Sequence, residues 1–400
     1  MSERSRRVLI VVQNLPVPPD RRVWLSATTL AAAGHVVSVI SPMGQGHDAP
    51  YEFLDGVHIY RHPAPPEAHS GMRAYVREYA HSVRQWFRLA ARVRRERGFD
   101  VIHGCNPPDL VFLLAWRYRL SGVRFLFDHH DVNPELYEAK FGRRGPVYRA
   151  LRLLERLTFA SARVSLATND SFRRIALERG GMAPSDVFTV RSAPRRDVFK
   201  PSCPNPALRD RASVILGYVG VIGQQEGMEI LIEALDILLR RFGLDDFHMV
   251  IVGFGSHLDA VRAEVAARGL EAHVTFTGAL FGEELMSALS ACDIGVSPDP
   301  RNAMNDISTM NKVIEYMALG LPVVQFDLTE GRASAGDAAL YARPNDPEDF
   351  ARQIACLARD PKLRADMGAE GRRRVERELA WEHSAPRLMA AYDRLFASRN

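Results

Sequence analysis

Apolar positions recur along the chain in two alternating rhythms. Short continuous runs at 7–12 (RVLIVV), 36–41 (VVSVIS), 57–61 (VHIYR), 100–105 (DVIHGC), 123–128, 163–168 (RVSLAT) and 186–191 read as strands. Between them apolar residues return every three to four positions, which predicts helices over 19–34, 72–97, 108–121, 146–161 and 170–180, with a loop before residue 146. Residues 192–212 break the rhythm with four prolines and no periodicity, as a linker does. The alternation then restarts. Strands are expected at 213–219, 247–252, 273–277, 293–297 and 322–326, helices at 227–242, 256–268, 282–291 and 309–319, and three helices over 346–398. Strand–helix alternation implies a mostly parallel, doubly wound sheet, here built twice. Such sheets bind ligands at the carboxyl ends of their strands.

Composition supports this reading. The chain has 400 residues, 46% hydrophobic and 25% charged, enough for two α/β domains. With 28 Gly and 24 Pro it is neither collagenous nor disordered. The most apolar stretch, Leu110 to Trp116, is too short to span a bilayer. The first residues lack a secretory apolar segment and run straight into a strand, so a cytoplasmic location is expected. Cys105, Cys203, Cys292 and Cys356 are widely spaced with no C-x-x-C, which excludes a zinc ribbon and fits reduced thiols. Residues 1–200 carry 31 basic and 19 acidic groups, whereas 201–400 carry 21 and 29, so the two halves meet different partners. No RNP-like aromatic motif or Cys/His finger accompanies the basic half, so nucleic acid is not expected as a partner.

Several chemical signatures are missing. There is no P-loop and no G-x-G-x-x-G; the nearest, GFGSHL at 253–258, lacks the third glycine, so a nicotinamide dehydrogenase is poorly supported. There is no Asp-x-Asp to present a nucleotide diphosphate on a metal ion. What remains is DISTMNKVIEYMALGLPVV at 306–324, a polar loop leading into a short helix and a strand. A helix start offers free N–H groups to an anion. Ser308 and Thr309 add hydroxyls, Lys312, one of only four lysines, adds a charge, and Glu315 can accept hydrogen bonds from a ribose diol. The plainer reading is a capped amphipathic helix. A second cluster, Asp128, His129, His130 and Asp131, ends an apolar strand where catalytic groups belong, and one imidazole there can shuttle a proton near neutral pH. The plainer reading is a solvated histidine pair; a zinc site lacks a third ligand nearby. In the loop 14–24, Arg21 or Arg22 can bind a phosphate or simply open a helix. The helix over 72–98 carries eight arginines interleaved with Tyr75, Tyr79, Trp86, Phe87 and Leu89. It suits an anionic membrane surface, and equally a solvated outer helix packed on the sheet.

In this order the motifs resemble glycosyltransferase family 4. The run K-x-x-E-Y-M-A-x-G-x-P-V-V from Lys312 is similar to that family's donor-site helix. DRRVWLSATTLAAAGHVVSVISP (20–42) resembles its first helix and second strand, DHHDVNPE (128–135) its histidine loop, and GYVGVIGQQEGMEILIEAL (217–235) its phosphate loop and following helix. The resemblance implies a GT-B fold of two Rossmann-like domains with an interdomain cleft. An acceptor-binding domain is expected over 1–195, with a closing helix at about 381–398 packed back on it, and a donor-binding domain over 196–380. It further implies transfer of a sugar from a nucleotide-diphosphate sugar, UDP- or GDP-linked, to a saccharide or lipid-linked acceptor hydroxyl. The anomeric configuration would be retained, with no metal and no cofactor beyond that co-substrate. Cell-surface polysaccharide or glycolipid assembly would be the setting, with the protein peripheral on the inner membrane face.

By the same resemblance His130 and Asp131 are catalytic, and His129, Arg21 and Arg22 meet the acceptor or a phosphate. Gly223, Gln225, Gly253, Phe254, Gly255, Phe281, Asp306, Ser308, Thr309, Met310, Asn311, Lys312 and Glu315 would bind the donor. For GFG at 253–255 the plainer reading is a tight strand-to-helix turn. Two departures stand out. Ile307 replaces the first glutamate of the family's pair, with Asp306 as its polar neighbour, and Val221 and Glu226 replace the phosphate-binding arginine and lysine. Those losses leave open a non-catalytic nucleotide- or partner-binding GT-B protein, and likeness of fold leaves open a GT-B sugar-nucleotide epimerase.

Overall fold

The structure, a computed structural model, describes residues 5–64 and 72–397, without the side chains of 72–76. Arg73 and Tyr75 therefore lie outside the described side chains, as does residue 398 of the closing helix. The chain divides into two units: residues up to Ser192 together with those from Glu382, and Ala193–Trp381.

The first unit runs β1 (Arg7–Val11), α1 (Arg21–Ala32), β2 (Val36–Pro42), β3 (Tyr51–Leu54), β4 (Val57–His62), α2 (Met72–Glu96), β5 (Val101–Cys105), α3 (Phe112–Arg119), β6 (Arg124–His129), α4 (Asn133–Phe141), α5 (Pro146–Ser161), β7 (Val164–Ala167), α6 (Asp170–Arg174) and β8 (Val187–Thr189). The sheet order is β3-β4-β2-β1-β5-β6-β7-β8. Every pair is parallel except β3 with β4. Val8 to Val11 are buried, as expected of a central strand covered on both faces.

Two elements here escaped the periodicity. β3 pairs with β4 through a tight turn in which Asp55 (φ 46°) and Gly56 (φ 80°) are both left-handed. Asp-Gly is the preferred chemistry for such a turn, so the signal was in the sequence. α4 occupies the expected loop, opened by Pro134 in its first turn and closed by the left-handed Gly142. The helix expected over 170–180 is α6 followed by one wider turn, Ile175–Arg179, with i→i+5 bonding. α1 begins at Arg21 rather than residue 19 because the Asp20 side chain accepts from Val23 N at 3.1 Å.

The second unit runs α7 (Pro206–Arg209), β9 (Val214–Val221), α8 (Met228–Arg240), β10 (Phe247–Phe254), α9 (Leu258–Ala267), β11 (Val274–Gly278), α10 (Gly282–Ser290), β12 (Ile294–Ser297), α11 (Asn311–Ala318), β13 (Val323–Phe326), α12 (Thr329–Ala335), β14 (Ala339–Ala342), α13 (Pro347–Arg359) and α14 (Pro361–Arg374). Its sheet is wholly parallel, ordered β11-β10-β9-β12-β13-β14. α12 and β14 were not expected; both are too short for a period to show. One face of the sheet packs Leu231, Leu235, Phe350 and Ile354, the other Ile314, Met317 and Leu289. The last helix, α15 (Trp381–Phe396), buries Leu388, Ala391 and Leu395. No helix among the described residues is long and apolar enough to cross a membrane.

In each sheet the winding direction reverses beside its first strand, between β1 and β5 and between β9 and β12. In open α/β sheets such a reversal point, at the carboxyl ends of the strands, is where ligands bind.

Candidate active site

In the first unit the carboxyl ends of β5 and β6, the start of α1 and the adjoining loops carry a buried polar network centred on Asp128. Arg22 Nη2 reaches Asp128 Oδ1 at 2.6 Å, and its Nε lies 3.2 and 3.1 Å from the two carboxylate oxygens. His103 Nε2 sits 3.2 Å from Oδ2 while its Nδ1 meets the Tyr392 hydroxyl of α15 at 2.9 Å. His130 Nε2 lies 2.9 Å from the same Oδ2, close enough for an ion pair but off the line of a well-aligned hydrogen bond. Burial alone would push Asp128 up; the Arg22 and His130 charges and the His103 and His130 contacts overcome it and hold the carboxyl well below its usual range. Burial lowers His103 and raises Asp20 and Asp131. Asn106 holds the loop itself: its Oδ1 accepts from His130 N (2.7 Å) and Asp131 N (3.2 Å), and its Nδ2 donates to Asp131 O (2.7 Å) and Asp109 Oδ1 (3.0 Å).

This geometry corrects two of the expected acceptor or phosphate residues. His129 is fully buried among Phe127, Phe159 and Phe172, with Nε2 3.6 Å from Glu155 Oε1. Successive side chains of a strand point to opposite faces of the sheet, so Asp128 faces Arg22 and His103 on one side and His129 faces Phe159 and Phe172 on the other. Arg22 is also internal, bound to Asp128, Val190 O (2.6 Å) and Ser192 Oγ (3.0 Å), so its donors are spent on the fold. Arg21, one position earlier, is exposed. His103, Cys105 and Asp128 bring three donor atoms within 4.8 Å of one another. Arg22 nevertheless holds both Asp128 oxygens, and burial pushes the Cys105 thiol well up, which keeps it a neutral thiol.

In the second unit the reversal point is occupied by Lys312, at the second position of α11. Its Nζ lies 2.9 and 3.1 Å from the Asp299 oxygens, 3.5 Å from Glu226 Oε2 and 4.8 Å above the Tyr218 ring. Burial would lower this ammonium; Asp299, then Tyr218 and Glu226, outweigh it and hold it well above the usual lysine range. Asp299 also accepts from Ser297 Oγ. α11 has no side-chain cap at Met310. Asn311 is exposed at its first position, Ser308 Oγ donates to Met304 O at 2.8 Å, and Glu315 is buried one turn beyond Lys312. Gly223 opens the one-turn segment Gln224–Glu226, on which Gln225 is exposed. Asp306, expected at the sugar, is instead committed to the start of α12, accepting from Thr329 N and Oγ1 at 3.1 Å each, with Arg301 Nε 3.4 Å away.

The glycines at 253 and 255 serve the sheet. A Cβ on Gly253 (φ 154°) would collide with Gly220 O, and one on Gly255 with Ile222 O. Between and beyond them the carboxyl edge is apolar and open: Val221, Phe254 and Phe281 are 58%, 48% and 64% exposed at the ends of three neighbouring strands. Sequence reasoning missed Asp299, His103, Asn106 and Tyr392. Asp299 and Asn106 each follow a central strand, which is the position that could have flagged them. Tyr392 carries no local signal, because it comes from nearly 300 residues away.

Two mostly parallel, doubly wound sheets, one in each unit, fit the GT-B fold of glycosyltransferases. Sucrose-phosphate synthase from Thermosynechococcus elongatus superposes with a TM-score of 0.78 at 18% identity, over 98% of this chain and 99% of that one. Residues 19–192 match the family described as glycosyl transferase 4-like domain, and 213–360 the family described as glycosyl transferases group 1. A GDP-mannose-dependent alpha-(1-6)-phosphatidylinositol monomannoside mannosyltransferase of Mycobacterium tuberculosis is 26% identical over 410 residues, covering 96% of this chain and 97% of its own. The alpha-D-kanosaminyltransferase of Streptomyces kanamyceticus is 30% identical over 294 residues, 69% of this chain and 72% of its own. The chain belongs to glycosyltransferase family 4, and it is a glycosyltransferase.

Proposed function

We propose that the chain moves a sugar from a nucleotide-diphosphate sugar to an acceptor hydroxyl with retention of configuration, using neither metal nor further cofactor. The observation that carries this reading is the buried Lys312 ammonium at the uncapped start of α11, at the reversal point of the second sheet. A fixed cation and free helix N–H groups stabilise the charge that grows on a leaving diphosphate. Exposed Val221, Phe254 and Phe281 give a planar base an apolar edge, and Glu315 accepts from the ribose. In the first unit, Asp128 keeps His130 positioned as a donor toward the sugar, and Asp131 follows it on the same Asn106-held loop. The mannosyltransferase relative supports a GDP-linked donor and a lipid-linked acceptor, in glycolipid or polysaccharide assembly. The family likeness does not favour the epimerase or the non-catalytic reading.

The test is thermal stabilisation by UDP, GDP, dTDP, ADP and CMP, since a ligand that binds the native state raises its melting temperature. One diphosphate is expected to stabilise the wild type, with the shift lost in Lys312→Ala and Glu315→Ala. Turnover and stabilisation unchanged in both variants would sink the site.

We also propose peripheral attachment to an anionic membrane through α2. Its Trp86 and Leu89 are buried in the fold, so the apolar side of the helix packs on the sheet and only its arginine side is left for a membrane. Arg77, Arg84, Arg88 and Arg95 are exposed, and their spacing puts them on one stripe of the helix. Binding to phosphatidylglycerol vesicles, lost at high salt and in Arg84→Glu/Arg88→Glu, is expected; equal binding to neutral vesicles would count against it.

A further inference from the structure

We propose that Glu226 contends with the donor's pyrophosphate for the Lys312 ammonium, so that this carboxylate weakens nucleotide-sugar binding and couples it to uptake of a proton. The inference rests on the donor-site reading above and specifies how that site is tuned.

Lys312 brings one positive charge to two carboxylates. Asp299 is the inner partner, almost fully buried, with two contacts near 3 Å and a further bond from Ser297 Oγ. Glu226 is the outer partner at 3.5 Å, on a single turn flanked by Gly223 and the left-handed Gly227 (φ 72°). The group of three sums to a negative charge at the point where a pyrophosphate diester would add two more. Asp299 is buried and makes two short contacts with Lys312, whereas the Glu226 side chain is more exposed and makes one longer contact, so Asp299 stays and Glu226 is the group displaced.

The other titratable groups facing this cluster do not relieve it. Tyr218 on β9 donates its hydroxyl to Val221 O at 2.8 Å. Tyr316 on α11 donates to Val296 O at 3.3 Å and accepts from Val219 N at 2.9 Å. Both phenols are pushed up by burial and stay neutral near pH 7. Burial raises Glu226; Lys312 opposes that and Asp299 adds to it. The sign follows. A neutral Glu226 no longer repels phosphate and releases Lys312, so a pyrophosphate favours the protonated form. Binding then tightens as the pH falls and takes up a proton as it occurs.

Isothermal titration calorimetry with UDP-glucose and GDP-mannose tests this, because the charge of these pyrophosphate diesters does not change near neutral pH. Wild type, Glu226→Gln, Lys312→Ala and Glu315→Ala are compared at about pH 5.5 and about pH 8 in buffers of different ionisation heat. Glu226→Gln is isosteric, and circular dichroism checks its fold. The expected result is a Kd about tenfold lower in Glu226→Gln at the higher pH, with proton uptake present in wild type and absent in the variant. Binding that appears only in Glu226→Gln supports the proposal equally. Wild-type binding that is lost in Glu315→Ala, yet independent of pH and no tighter in Glu226→Gln, overturns the proposal and leaves the donor site standing. Binding that survives Lys312→Ala, or no binding in either wild type or Glu226→Gln, overturns both.

Discussion

Asp128 shows how much one buried charge organises. Arg22, His103 and His130 converge on its two oxygens, and each would be left in a poor dielectric without it. Removing one partner of a buried ion pair strands the other, so Asp128→Asn is expected to cost about 3–5 kcal/mol in urea unfolding at neutral pH. The folded carboxyl titrates below its unfolded value, so its contribution is present above about pH 4 and is lost as the pH falls through the folded value. Acidification below that point should therefore cost the wild type more stability than it costs Asp128→Asn. Asp109 runs the other way. Burial, opposed by His129, pushes it up to about 7, so its ionisation works against the fold as the pH rises from about 4 toward 7. The stability difference between wild type and Asp109→Asn should shift against the wild type over that interval; a flat difference would mean that Asp109 ionises freely.

Among elements, the turn from β9 into α8 is tightly constrained at its glycine. Gly227 lies at φ 72°, and a Cβ there would collide with Pro298 O. A side chain must displace backbone rather than a flexible neighbour, so Gly227→Ala is expected to destabilise by about 1–3 kcal/mol. It should also alter nucleotide affinity, because the 224–226 turn and the loop carrying Asp299 meet at that point. A variant with native stability and native affinity would show that the turn has slack. The β3–β4 hairpin and α4 carry ordinary signals, Asp-Gly and an opening proline with a closing glycine. Neither β3 nor α4 shows an apolar period, because each has few buried positions.

For the whole molecule, α15 ties the end of the chain to the first unit. Leu388, Ala391 and Leu395 are buried there, Arg394 Nε reaches Asp186 Oδ1 at 2.6 Å, and Tyr392 meets His103. A chain ending at Trp381 should lose stability in the first unit and leave the second unit's transition in place, a separation that calorimetry resolves. Tyr392→Phe removes a single hydroxyl and should cost about 1 kcal/mol. If its effect also appears in the pH profile of turnover, the path through His103 and Asp128 to His130 is functional as well as structural.

The alternation of buried runs and amphipathic helices belongs to the sequence alone, since burial on two faces demands continuous apolar strands and burial on one demands a helical period. The run from Lys312 to Val324 and the glutamate at position 226 were equally legible, because each is a local string. Only the tertiary structure could decide which of two adjacent histidines turns outward, since strand phase is set by packing against Phe127, Phe159 and Phe172. It alone could decide that Arg22 is spent on Asp128, that Asp306 serves α12, and that Lys312 faces Asp299 and Glu226. Those partners lie between 13 and 106 residues apart along the chain. A charge's neighbours, and hence what it remains free to bind, follow from the fold and not from the adjoining residues.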